Sequence, residues 1–175
     1  MPTLLRPATD LLTSYARHHR DRRNILTHAF GIPLVVFSAG ILLGRPLAGL
    51  GLSLAWLIWG ACTLWYLTRG QFALGLATAA LTAGLLALAA PVAAAASWLA
   101  WGLGSLAVGW ALQYLGHCYE GRRSVYVDDL RALLVGPLFI AAEALFALGW
   151  CAALRREIER RVGPTHLRDL TLPAV

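Results

Sequence analysis

The sequence has no lysine: all fifteen of its basic residues are arginine, and most cluster within residues 17–23, 122–131 and 155–168. Charge of any kind is scarce, at 14% of residues, and residues 70–119 contain no Asp, Glu, Lys or Arg. With 58% hydrophobic residues and a mean hydropathy of +0.62, this excludes an ordinary soluble domain of 175 residues. The arginines stand at the ends of apolar runs, where they anchor a chain at anionic lipid, so the basic balance does not indicate nucleic-acid binding. Cysteine is limited to Cys62, Cys118 and Cys151, an odd number with no CxxC pair, which excludes a disulfide framework. Cys118 neighbours His117 and is a further potential ligand; Cys62 and Cys151 read as small apolar fillers. Short alternating segments are lacking, which argues against a membrane β-barrel. Residues 1–24 carry Arg6, Asp10, Arg17, Arg20, Asp21, Arg22 and Arg23, and so lack the uninterrupted apolar stretch of a cleavable signal.

What is present is a succession of long apolar runs. A spanning helix takes about 20 apolar residues, so the uncharged stretch over residues 70–119 suits two spans. The chain reads as an all-α, polytopic membrane bundle forming a single integral membrane domain. An amphipathic helix over residues 8–23 is followed by spans at 25–43, 47–67, 71–90 and 92–115. A polar loop covers 116–131, a fifth apolar helix 132–154 and a basic tail 155–175. Gly44-Arg45-Pro46 and Pro91 mark turns. The Ala-, Leu- and Gly-rich stretch 77–96 has no ligand-type residue and reads as scaffold.

The strongly basic N-terminal region is expected on the cytoplasmic face. Four crossings return residues 116–131 to that face, in agreement with Arg122, Arg123 and Arg131; Arg45 dissents. The fifth segment would carry the basic tail to the other side if it crossed. It is therefore expected to bend at Gly136-Pro137 or to pack without crossing. The composition and short loops suggest a bacterial inner membrane.

This topology brings distant histidines together. His19 and His28 stand at the start of the first span and His117 at the end of the fourth, all on one face; His18 adjoins them. Neutral imidazole is a common metal ligand, and three histidines with a carboxylate or water suit iron or zinc. Glu120 lies three residues after His117. Tyr15, Asn24 and Gln113 each lie four residues before a histidine, on the same helical face, and are expected to act with the ligands by orienting their rings. On one straight helix, His19 and His28 would be turned apart by about 900° and separated by about 13 Å. A shared metal therefore demands a break between them, expected in the Arg20–Arg23 run with Asn24 as N-cap. Glu143, an ionisable residue within an apolar segment, belongs either to the site or to an ion pair with an arginine of residues 116–131.

The pattern Tyr15-x3-His19-x4-Asn24-x3-His28-x2-Gly31-x-Pro33 resembles the N-terminal signature of the 2-hydroxy fatty acid dioxygenase family. Gln113-x2-Gly116-His117-x2-Glu120-Gly121, then Asp128-Asp129-Leu130 and Gly136-Pro137-Leu138-Phe139, resemble its downstream signature. The sequence departs from the family in lacking a proline between His19 and Asn24, and in carrying Ser124 where proline is common. The resemblance implies an Fe(II)-dependent membrane enzyme that uses O2 to shorten a 2-hydroxy fatty acid by one carbon. It implies His19, His28 and His117 as ligands, with the fourth histidine either His18 or His166. A substrate carboxylate would pair with Arg122, Arg123 or Arg20, and the acyl tail would lie among apolar helices.

Two other classes compete. A small transporter would need polar or broken helices at mid-membrane, and the second to fourth segments carry no ionisable residue. A non-catalytic assembly protein predicts no bound metal. Di-iron membrane desaturases use more histidines than the five present. Oligomeric state is not fixed by the sequence.

Overall fold

The computed structural model describes residues 5–47, 51–121 and 132–171. They form seven helices and no strand: α1 (Ala8–Ala16), α2 (Arg22–Leu43), α3 (Leu54–Leu67), α4 (Phe72–Ala94), α5 (Trp98–Glu120), α6 (Ala132–Ala147) and α7 (Ala152–Val162). The only extended pairings among these residues are two isolated bridges, Asp21 with His166 and Pro46 with Ser53.

α2 (22 residues) and α4 (23 residues) are long and apolar enough to cross a membrane. A third candidate arises if α6 and α7, bent by 114° at their junction, count as one broken span. That is fewer than the four spans expected from hydropathy alone. α3 has only 14 residues, about 21 Å of helix against a hydrocarbon core of about 30 Å. α5 is 23 residues long, but its last two turns carry Gln113, His117 and Glu120.

Several boundaries differ from expectation for local reasons. Pro91 lies inside α4 and the chain turns only after it, where Ala95 becomes extended. Pro91 gives up only its own bond to the Ala87 carbonyl, and the helix ends within one turn of it. α5 continues past residue 115 to Glu120 and stops at Gly121, whose φ of 69° is the left-handed cap that glycine adopts without a Cβ penalty. The expected 8–23 helix ends at Ala16. A new helix starts after Asp21, whose side chain accepts the Arg23 N–H. Asp21, not Asn24, is the N-cap, since a carboxylate there also faces the positive end of the helix dipole.

α2 packs along α5 at close range because both present glycines. A Cβ on Gly31 would come within 2.9 Å of the Gly109 carbonyl. Small residues allow this approach between membrane helices. α6 is buried from Val135 to Ala142, surrounded by α1, α2 and α4. An all-round apolar helix is stable only when enclosed in this way. Leu12 and Tyr15 of α1, Leu138 and Phe139 of α6, and Leu154 and Ile158 of α7 share one core. The α3–α4 turn joins α1 at the same end, where the Ala8 N–H donates to the Arg69 carbonyl at 2.8 Å.

Candidate metal centre

α1 buries Leu11, Leu12, Tyr15 and Ala16 on one face. Its last N–H groups fold back on the chain: His18 donates to the Tyr15 carbonyl and His19 to the Ala16 carbonyl. This tight turn is the required break between His19 and His28. It redirects the chain so that His19 meets the second turn of α2, which carries His28. His117 arrives from the last turn of α5. All three are buried, and their ligand atoms lie within 4.8 Å of one another. The ring centroids are 4.6 Å apart for His19–His28, 5.1 Å for His19–His117 and 5.0 Å for His28–His117.

The rings are set in one tautomer by main-chain carbonyls. His19 Nδ1 bonds the Tyr15 carbonyl at 2.8 Å, and His28 Nδ1 bonds the Asn24 carbonyl at 3.0 Å. A carbonyl only accepts, so both Nδ1 atoms carry the hydrogen and both Nε2 atoms keep a lone pair for another partner. Those Nε2 atoms, and both ring nitrogens of His117, are buried without a hydrogen-bond partner. Buried polar atoms normally find partners, and four orphans in one cluster fit a metal ion with nitrogen ligands. Burial, then the neighbouring His28, holds His19 well below its ordinary value, so its imidazole is neutral and ligand-competent at pH 7. The Tyr15 ring stacks flat on His19 at 4.1 Å, and Phe139 tilts against both rings.

Glu120 joins the first histidine loop to α5. Its carboxylate accepts the Arg20 N–H at 3.0 Å, the Asp21 N–H at 2.9 Å and Asn24 Nδ2 at 2.9 Å. Asn24 Nδ2 also donates to the His18 carbonyl at 3.0 Å. Asn24 thus supports His28 through its main chain and the His18–His19 turn through its side chain. Gln113 packs over Gly31, and its Oε1 is buried without a donor; no hydrogen bond joins it to His117. Gly116 leaves room for the site, since a Cβ there would collide with Thr27, Asn24 and the His28 ring.

The other residues expected at the site lie around it. His18 is half-buried and not one of the three converging histidines. Cys118 is exposed. Arg20 is buried and donates to the carbonyls of Ala16, His19 and Gly163. Its remaining nitrogen approaches Glu143 at 4.0 Å. These two line a cavity of about 200 Å³ with Arg155 and Glu159. Arg122 and Arg123 fall outside the described residues. Sequence reasoning did not find Phe139 as a ring contact, although it stands in the quoted Gly136–Phe139 block. Nor did it find Asp21 or the tail residues that bind it.

The sequence profile of the Mpo1-like family, described as 2-hydroxy-palmitic acid dioxygenase Mpo1-like, matches residues 5–148. The chain belongs to the Mpo1-like family. The match includes all three converging histidines, Glu120 and Phe139. Among curated proteins, this Mpo1-like chain is 28% identical over 151 residues to the 2-hydroxy-palmitic acid dioxygenase MPO1 of Saccharomyces cerevisiae, covering 83% of each chain. No solved structure matches it significantly.

Proposed function

We propose that this Mpo1-like protein is an Fe(II)-dependent membrane dioxygenase that shortens 2-hydroxy fatty acids by one carbon. The observation that carries the reading is the convergence of His19, His28 and His117, with buried ring nitrogens that have no other partner. These three residues would hold the ion; His18 would stand in its outer surroundings. Fe(II) in a nitrogen-ligand site supplies open positions for O2 and for the hydroxyl and carboxylate of the substrate.

The chain's own residues then divide the work. The Tyr15 and Asn24 carbonyls keep Nδ1 of His19 and His28 protonated and so aim Nε2 at the ion. Glu120 fixes the His19 turn against the helix of His117. Gln113 Oε1, a buried acceptor without a donor one turn before His117, accepts a hydrogen bond from the substrate 2-hydroxyl. Arg20 is committed to three carbonyls, so the carboxylate is assigned to Arg122 or Arg123. The tail takes an apolar cavity of about 340 Å³ whose lining includes Val35, Ala39 and Leu43 of α2, Ile58 of α3 and Leu86 of α4. Val35, Ala39 and Leu43 lie within about 60° of His28 around α2, between about 10 and 22 Å further along its axis. The active end faces the cytoplasm, given the arginines at residues 17–23, with the apolar helices embedded in a bacterial inner membrane.

The test is an anaerobic Fe(II) load of the detergent-purified protein, followed by O2 and 2-hydroxypalmitate. The expected product is the acid one carbon shorter, absent with palmitate and absent from His28→Ala. Turnover of neither substrate by iron-loaded protein would overturn the reading and favour a non-catalytic membrane role.

A further inference from the structure

The chain after α7 runs back across the outside of the His19 turn. The His166 N–H donates to the Arg20 carbonyl at 2.9 Å, and the Arg22 N–H donates to the His166 carbonyl at 2.9 Å, forming a parallel bridge around Asp21. Two residues on, the Arg168 N–H donates to Asp21 Oδ2 at 2.8 Å. The Arg168 carbonyl accepts from Arg23 at 2.7 Å. Before the bridge, the Gly163 carbonyl accepts from Arg20 at 3.0 Å. The Arg168 guanidinium also covers Gly121, the cap of α5, where an added Cβ would strike it.

The turn is therefore gripped from two sides. On the inner side the Arg20 and Asp21 N–H groups go to Glu120. On the outer side the Arg20 carbonyl and the Arg22 N–H go to His166. Asp21 joins the two halves: it is fully buried, and its carboxylate is filled by the Arg23 main-chain N–H, the Arg23 side chain and the Arg168 N–H. A buried carboxylate tolerates that position only with such partners. His19 is one residue before the gripped backbone and has no helix of its own to hold it. The gripping segment lies beyond residues 5–148, the part of the chain that matches the family.

We infer that residues 163–168 are a positioning strap of the metal centre, holding the Arg20–Arg22 backbone so that His19 stays within reach of His28 and His117. This rests on the reading of these histidines as metal ligands. Groups that orient a ligand rather than touch the metal change affinity by about 10–100-fold when lost.

Co(II) is the probe, titrated into detergent-purified full-length protein and followed by its visible absorption. The variants are a chain ending at Val162 and the full-length His166→Pro, which removes one strap N–H and leaves the side chains of the turn intact; His166→Ala, which loses the imidazole but keeps that N–H, is the control and is expected to bind Co(II) as wild type does. Helix content and melting temperature without metal are measured beside them. The expected result is Co(II) binding weakened at least tenfold in both variants, with an altered visible spectrum and a helix content equal to wild type. Should the shortened chain fail to fold, His166→Pro alone decides. Wild-type affinity and spectrum in His166→Pro would overturn the strap. No Co(II) spectrum in the wild type would instead overturn the metal reading on which it rests.

Discussion

The two ends of this helical bundle are built on different physics. At the histidine end, the buried charged groups each hold several hydrogen bonds, while the imidazole nitrogens of His19, His28 and His117 that face one another hold none. Glu120 takes three neighbours' N–H groups, Asp21 takes four hydrogen bonds, and Arg20 covers three carbonyls. In the other half, the helical residues of α3, α4 and the first turns of α5 include no charged side chain, and large apolar residues face outward, with Leu88 67% and Trp101 63% exposed. Such a surface suits lipid, and its helices meet mainly by close fit, with Ser38 Oγ donating to the Gly102 carbonyl at 2.7 Å and Trp59 Nε1 to the Ala79 carbonyl at 3.1 Å. The contrast teaches where sequence changes should matter. The histidine end is over-determined because unpaired buried polar groups are costly; the apolar half tolerates exchange wherever space allows.

Substitutions test that contrast directly. The largest effect is expected from Gly116→Leu, whose side chain would have to occupy the space of Thr27, Asn24 and the His28 ring. It should cost about 3 kcal/mol or more and abolish metal binding, measured by thermal melting and metal analysis. Next is Glu120→Gln. The amide keeps the shape but sets its own N–H group against the Arg20, Asp21 and Asn24 donors. A loss of about 3 kcal/mol and of about 10–100-fold in metal affinity is expected. Unchanged affinity would mean that the Glu120 link does not place His19.

The apolar half should answer differently. Gly104 sits in α5 with nothing within 4 Å of an added Cβ. Gly104→Ala should therefore stabilise by about 0.5–1 kcal/mol and leave metal binding unchanged. A large destabilisation would show that this face is occupied. The smallest effect is expected at α7, where hydrogen bonds from the Arg160 and Arg161 side chains hold the Glu157 carboxyl down to about 2. A depressed carboxyl contributes stability above its unfolded value and loses it on acidification, here from about pH 4.5 toward pH 2. The Glu157→Gln variant should melt slightly below wild type at pH 7 and level with it in acid.

Much of the histidine end was legible in the sequence, because an uncharged run long enough for two helices doubles back on itself. That constraint alone carried His117 to the level of His19 and His28. The helical distance between the latter two also demanded a break, and the break is there. Its details were not legible. Asp21 rather than Asn24 caps α2 because the His166–Arg168 segment arrives to complete the Asp21 carboxylate, and a main-chain contact across more than a hundred residues leaves no side-chain signature. The spacing of four was read as side-chain support for each ring, whereas the main-chain carbonyls of Tyr15 and Asn24 make the bonds. Glu120 was expected beside the ligands from its position on the face of His117, and its oxygens are filled by the turn and Asn24. Pro91 misled because the helix continues past it to Ala94 before the chain turns.

The central claim is that three neutral imidazoles at one end of the bundle hold a metal ion. The most direct measurement is the Fe(II) content of anaerobically loaded, gel-filtered protein, wild type beside His19→Ala, His28→Ala and His117→Ala. The account predicts close to one iron per wild-type chain and almost none in each variant, with helix content maintained. Iron retained at the wild-type level in all three variants, or no iron in the wild type, would contradict it.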